Sequence, residues 1–352
     1  MDRMVPPSSR PGAPATTVSS LKRRLGLALR IIAIAVIAAC LWFFIRKIEW
    51  SKLGIALRDA TLWPLVLAAA LNFVCLWGKA ACWHIMLAPK NHVATSRLFR
   101  YTIAAFATSV IAPARAGEVL RLWVLKRREG VPIADSAGVA FAEKVLDGAT
   151  MLMLVAPVPL LLPGLPAWVG NSILLCSGVA LGILVGLYIA VGRVDTTTSR
   201  SWLARFIAGM HVLRSPRRLA LALVTLVMVW AADLAMVMLV LYAVGIDLPI
   251  AAGLLILFTL NLTIMVPSTP AGVGALELGA LAATNLLGVP YEPALAFALL
   301  YHALQVLPLI VTGFVLEFRL VIGRDRPMDD SAEDAKLAPV VPIATARTAR
   351  TR

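Results

Sequence analysis

"PARAGEVLR", residues 113–121, lies between two apolar runs, "YTIAAFATSVIA" (101–112) and "LWVL" (122–125). Pro113 lacks an amide N–H and ends or kinks the helix that reaches it, and Gly117 tolerates the turn that follows. Residues 98–125 therefore read as two short arms, a hairpin that enters a membrane and returns to the same side. This keeps Arg115, Arg121, Lys126, Arg127 and Arg128 on one face, whereas a complete span at 98–112 would carry all five across. The pattern recurs at 250–287, where "VPSTPAGVGALELG" (266–279) places Pro267, Pro270, Gly272 and Gly274 ahead of Glu277.

Composition fixes the setting. Only 15% of the 352 residues are charged and 60% are hydrophobic, with a mean hydropathy of +0.85, against about 25% charged in soluble chains. Six stretches, 25–45, 62–88, 132–162, 169–191, 218–244 and 292–320, reach the length of roughly 20 apolar residues that a bilayer core requires. The expected fold is an all-α polytopic membrane protein with six full spans plus two re-entrant helical hairpins. Residues 1–20 and 325–352 have the composition of disordered tails around a transmembrane domain at 21–320. No remaining stretch of these 352 residues accommodates a large soluble domain, so functions that need a separate catalytic one are not expected.

The net charge of +14 is distributed as membrane topology demands. Lys and Arg cluster in the first thirty residues, in 113–130, in 193–218 and after Phe318, each time beside an apolar span. This is the pattern of cytoplasmic loops, and it places both termini in the cytoplasm. Nucleic acid is not an expected partner. The segment 46–61 dissents, carrying four basic residues on the outer side, and reads as an amphipathic surface helix. Cys40, Cys75, Cys82 and Cys176 fall inside spans without CxxC spacing, and His84, His92, His211 and His302 show no ligand spacing. Neither a metal nor a cofactor is expected, and no GxxxxGK phosphate loop is present.

"GVPIADSAGVAFAEKVLDG" (130–148) resembles "GVPYEPALAFALLYHALQV" (288–306) at a constant offset, and each follows a broken hairpin. The halves 25–162 and 169–320 then each contain two spans, a hairpin and a long helix. They start on opposite sides, giving an inverted-topology repeat of the kind that places transporter sites near the midplane.

The candidate binding residues sit at the breaks. The returning arm near Gly117 points its N-terminal N–H groups into the membrane interior, where they favour anions. Arg115 and Arg121 add charge in a planar form suited to phosphate. Glu118 reads either as the i,i+3 ion partner of Arg121 or as one charge of a polar cavity. In the second hairpin Pro267, Gly272, Gly274 and Glu277 line the corresponding turn. On the helix after the first hairpin, Glu143 and Asp147 share a face at i,i+4. They either handle protons or a headgroup amine, or Asp147 pairs with Lys144 to lock helices together. The repeat aligns Glu143, Lys144 and Asp147 with Tyr301, His302 and Gln305. Asn72, Lys79 and Asp233 read as interhelical polar contacts, and the tryptophans near span ends as interface anchors.

At "PARAGEVLRLWVLKRREGVPIADSAGVAFAEKVLDG" and at "VPSTPAGVGALELG" with "YHALQVLPLIVTG", the chain resembles the flippase-like integral membrane family. This is the transmembrane region of lysylphosphatidylglycerol synthase, with hopanoid- and glycolipid-associated relatives, and the likeness covers about residues 20–325. It implies a bacterial inner-membrane protein that moves a lipid between leaflets, with a phospholipid, hopanoid or polyprenyl-linked lipid as substrate and a lipid-biosynthesis enzyme as a further partner. The family pattern has Glu-Arg where this chain has Glu143-Lys144 and Tyr-Arg where it has Tyr301-His302, so the bidentate arginine is lost at both places. A short polar tail follows the membrane region, so the likeness implies the lipid-translocating half and not lysyl transfer. Two rival readings are a membrane-embedded glycosyl or acyl transferase and a non-transporting accessory subunit.

Overall fold

A computed structural model describes residues 50–88, 91–111, 116–193, 202–265 and 270–321. Every regular element among them is helical: α1 (Trp50–Asp59), α2 (Leu62–Leu87), α3 (Thr95–Ile111), α4 (Ala116–Glu129), α5 (Ile133–Val155), α6 (Val158–Leu161), α7 (Ala167–Arg193), α8 (Trp202–Gly209), α9 (Pro216–Ala243), α10 (Ile250–Met265), α11 (Ala275–Leu286) and α12 (Tyr291–Val321), with 3-10 turns at His211–Arg214 and Pro270–Gly272. Five stretches are long and apolar enough to cross a membrane: Leu62–Leu87, Ile133–Leu161, Ala167–Gly192, Pro216–Ala243 and Tyr291–Gly313. They match five of the six expected spans; the sixth, 25–45, lies outside the described residues. The element order repeats, since a long helix, a pair of short helices and a long helix occur in α2–α5 and again in α9–α12.

The short helices pair as the proline and glycine breaks require. At 1.5 Å per residue, α3 and α4 (17 and 14 residues) and α10 and α11 (16 and 12 residues) are too short to cross a core of ~30 Å individually. In each hairpin one glycine lets the arms meet. A Cβ on Gly117 would overlap the Ala105 carbonyl oxygen and the Ser109 hydroxyl, and one on Gly279 would overlap the Thr263 hydroxyl and the Thr259 carbonyl oxygen. The open end of the first hairpin is tied by Glu129, which accepts two bonds from Arg97 Nη1 (3.0 and 2.8 Å) and one from the Tyr101 hydroxyl (2.8 Å).

The long helices pack around α2 and α9, which cross where Gly78 lies under the Val229 side chain. Ala68, Leu76, Ala80, Leu226, Val237 and Val240 close this core. Helix α12 contains Pro308, which cannot donate to the carbonyl of Leu304. Asn72 of α2 supplies the missing donor: its Nδ2 lies 3.0 Å from Leu304 O and 3.1 Å from Gln305 O. By contrast α7 is peripheral and presents Leu174, Leu175, Val179, Leu181 and Ile183 outward, as a helix facing lipid does.

The basic connector before α9 is ordered by helix ends. His211 Nε2 lies 2.8 Å from the Ala88 carbonyl, which also accepts from Arg218 Nη1, and Arg214 donates through Nε (2.9 Å) and Nη2 to the Val191 carbonyl. Basic groups thus meet the negative ends of α2 and α7. The sequence indicates a basic loop here, and within it the structure contains α8. It docks on α5 through Gly138 and Gly209, whose Cα atoms are each other's close neighbours.

Candidate functional site

Helix α4 carries Arg121 on its inner face, 7% exposed, and α5 carries Glu143 opposite, 4% exposed. The two approach to only 4.0 Å (Nη1 to Oε2). Glu143 Oε2 instead accepts the indole N–H of Trp83 at 2.6 Å. The guanidinium lies over the same indole, 3.7 Å from the ring centroid, a stacking geometry available to arginine but not to lysine. Arg121 Nε and Nη2 have no hydrogen-bond partner among the described residues.

A second group of charges lies between α2, α5, α9 and α12. Lys79 Nζ is 2.6 Å from Asp147 Oδ1 and 5.5 Å from the Trp230 ring centroid, and it is within electrostatic reach of Glu143 and Asp233. Asp233 accepts the Tyr301 hydroxyl proton at 2.8 Å, and Gln305 Nε2 donates to the same hydroxyl oxygen at 2.7 Å. Each set of four helices, α2–α5 and α9–α12, therefore joins its first long helix to its last through a half-buried acid, Asp147 in one case and Asp233 in the other.

The tip of the second hairpin is built on an unusual backbone. Ala271 (φ 58°), Gly272 (φ 75°) and Gly274 (φ 86°) all lie in the left-handed region, where glycine is at ease and alanine is strained. Glu277, three residues into α11, turns back to accept the Gly274 N–H through Oε2 at 2.7 Å, a capping arrangement that satisfies an otherwise orphaned donor. Its Oε1 is 2.5 Å from His302 Nδ1, while His302 Nε2 is 3.1 Å from the Ala271 carbonyl. His302 on α12 thus holds both the cap and the strained turn.

The candidate residues divide accordingly. Arg121, Glu143 and Asp147 are buried or half-buried in the first half; Glu277 and His302 meet in the second, and Tyr301 faces Asp233. Glu118 and Lys144 pair with each other at 3.1 Å, each side chain 48% exposed. This differs from the within-helix pairings that spacing offers as alternatives, Glu118 with Arg121 and Lys144 with Asp147. The reason is that Arg121 turns inward onto Trp83 and Asp147 is taken by Lys79 across the helix interface. Glu143 and Asp147, although i,i+4, serve different partners. Gly117 acts in hairpin packing, and Gly272 and Gly274 shape the second tip. Arg115 and Pro267 lie outside the described residues. Sequence reasoning does not single out Trp83: four residues from the end of α2 it reads as one more interface tryptophan, and only the small residues just before it, Ala80 to Cys82, hint at close packing.

Comparison with known proteins gives a family and one relative. The chain matches the family described as the lysylphosphatidylglycerol synthase TM region over residues 30–313. A glycosyltransferase of Haloferax volcanii, AglD, is 26% identical over 274 residues, covering 64% of this chain and 43% of that protein. The chain thus spans less than half the length of that relative. No solved structure matches. The family match takes in both hairpins, the buried charges and all five candidate spans, and on it this multi-pass membrane protein belongs to the lysylphosphatidylglycerol synthase transmembrane-region family.

Proposed function

We propose that the protein moves a lipid with an anionic headgroup between the leaflets of a bacterial inner membrane. The carrying observation is Arg121, a buried cation on the second arm of the first hairpin, with two nitrogens that have no hydrogen-bond partner among the described residues. A charge at the centre of an isolated span costs ~2.5–3.5 kcal/mol, and ionisable residues buried inside a membrane protein mark substrate paths more than scaffolding. In this reading the two hairpins re-enter the membrane from opposite faces. The halves 25–162 and 169–320 form an inverted repeat with both termini in the cytoplasm, and alternating access comes from rocking one half against the other. The Glu118–Lys144 pair stands at the mouth, and Glu277 with His302 steadies the second tip.

The test is lipid exchange in proteoliposomes, read as protection of a fluorescent phospholipid from an impermeant quencher. Loss of a charge-assisted contact worth ~1.5–3 kcal/mol makes Arg121→Ala at least roughly tenfold slower than wild type. Equal rates in the two proteins overturn the proposal.

A second reading has its own support, since the relative from Haloferax volcanii is named a glycosyltransferase. Here the same anion site holds a polyprenyl-phosphate sugar while a sugar is transferred. Product formation by the purified protein from lipid-linked sugar donors, lost in Arg121→Ala, favours this reading over translocation.

A further inference from the structure

We propose that Trp83 is a positioning residue: it holds Glu143 away from Arg121 and so keeps one edge of the guanidinium available to a phosphodiester oxyanion. The inference rests on the anion-site reading above and names the ligand chemistry of that site.

A guanidinium and a carboxylate buried together ordinarily close to a bidentate pair at about 2.7–2.9 Å. Arg121 and Glu143 are buried together yet stop at 4.0 Å. The Trp83 N–H tethers the carboxylate instead: donated to Oε2 at 2.6 Å, it fixes where the acid sits, although the acid's other lone pairs stay open. The indole also fixes the guanidinium plane from one face, at 3.7 Å. One residue thus restrains the acid with its N–H and the base with its ring.

This leaves a defined donor pattern. Nη1 faces Glu143, whereas Nε and Nη2, which share the opposite edge, have no partner among the described residues. Their N–H bonds run parallel, the arrangement that takes two oxygens of one oxyanion. Leaving both buried and unmet costs about 1–3 kcal/mol each, which a bound oxyanion removes. The surrounding side chains indicate its charge. Lys79, Arg121 and Lys144 face Glu118, Glu143, Asp147 and Asp233 among the described residues, so the cluster carries no surplus of positive charge before a ligand arrives. In a low-dielectric setting the single charge of a phosphodiester is accommodated more readily than the two of a phosphate monoester.

The experiment titrates the purified full chain in detergent with dihexanoyl phosphatidylglycerol and, separately, with inorganic phosphate, by calorimetry. Trp83→Phe keeps a ring but releases Glu143, and it weakens binding roughly tenfold by the worth of one charge-assisted bond. Adding Glu143→Gln to Trp83→Phe restores binding, because the competing charge is gone. Glu143→Gln alone binds at least as tightly as wild type. Wild-type affinity in Trp83→Phe, or a double variant that stays weak, overturns the positioning role. Should Trp83→Phe fail to elute as a monodisperse peak, Glu143→Gln decides: weaker binding there overturns the proposal. Unchanged binding in Arg121→Ala removes the anion site itself, whereas its loss in Arg121→Ala with none in Trp83→Phe removes only the role of Trp83. Binding of the lipid but not of phosphate supports a headgroup ligand, and the reverse overturns it.

Discussion

The contact between Asn72 and the helix interrupted by Pro308 permits a quantitative test. Pro308 leaves the Leu304 carbonyl without its helical donor, and Asn72 Nδ2 sits 3.0 Å from that oxygen and 3.1 Å from the next. Interhelical hydrogen bonds in membranes average ~0.6 kcal/mol and reach ~1.7, and a buried carbonyl left unmet costs about 1–3 kcal/mol. Asn72→Ala is therefore expected to destabilise by roughly 1–2 kcal/mol. The penalty should depend on the proline. In Pro308→Ala the amide at position 308 bonds the Leu304 carbonyl within the helix, so removing Asn72 there costs less than about 0.5 kcal/mol. Reversible unfolding in mixed micelles at increasing denaturing-detergent fraction, on the four proteins of the cycle, measures the coupling as the difference between the two penalties. A coupling indistinguishable from zero refutes the argument, since Asn72 would then be packing rather than replacing a lost donor.

Two further outcomes follow from buried contacts. Lys79→Met strands Asp147 at the α2–α5 interface and is expected to cost about 3 kcal/mol, while Lys79→Met with Asp147→Leu recovers most of it; the same unfolding assay reads both. Gly117→Val drives a side chain into the Ala105 carbonyl and the Ser109 hydroxyl. It should cost at least about 1–3 kcal/mol, seen as a lowered midpoint, whereas Gly148→Ala, with open space around it, leaves the midpoint unchanged.

Long helices were legible because crossing a bilayer demands an uninterrupted apolar run, and the five described spans sit within a few residues of the runs. The paired short helices were legible for the complementary reason. Proline and glycine in the middle of such a run have few explanations, and the described helices end at Ile111 and Met265 and start again at Ala116 and Ala275. Charge partners were not legible. Sequence spacing offers Glu118 to Arg121 and Lys144 to Asp147, yet each found a partner on another helix. Which helix faces which is decided by close approaches such as Gly78 on Val229 and Gly117 on Ala105, and these involve residues with no chemistry to announce them. Trp83 shows the same limit, since tryptophan in a membrane sequence suggests an interface until a buried acid is seen to claim its N–H.

The connector at 211–218 has a mechanical consequence. By gripping the last carbonyls of α2 and α7 while forming the start of α9, it splices three helix ends into a single strut. A piece so braced cannot pivot at that end. On the proposed reading, the rocking of one half against the other has to leave this junction intact and opens the protein away from it.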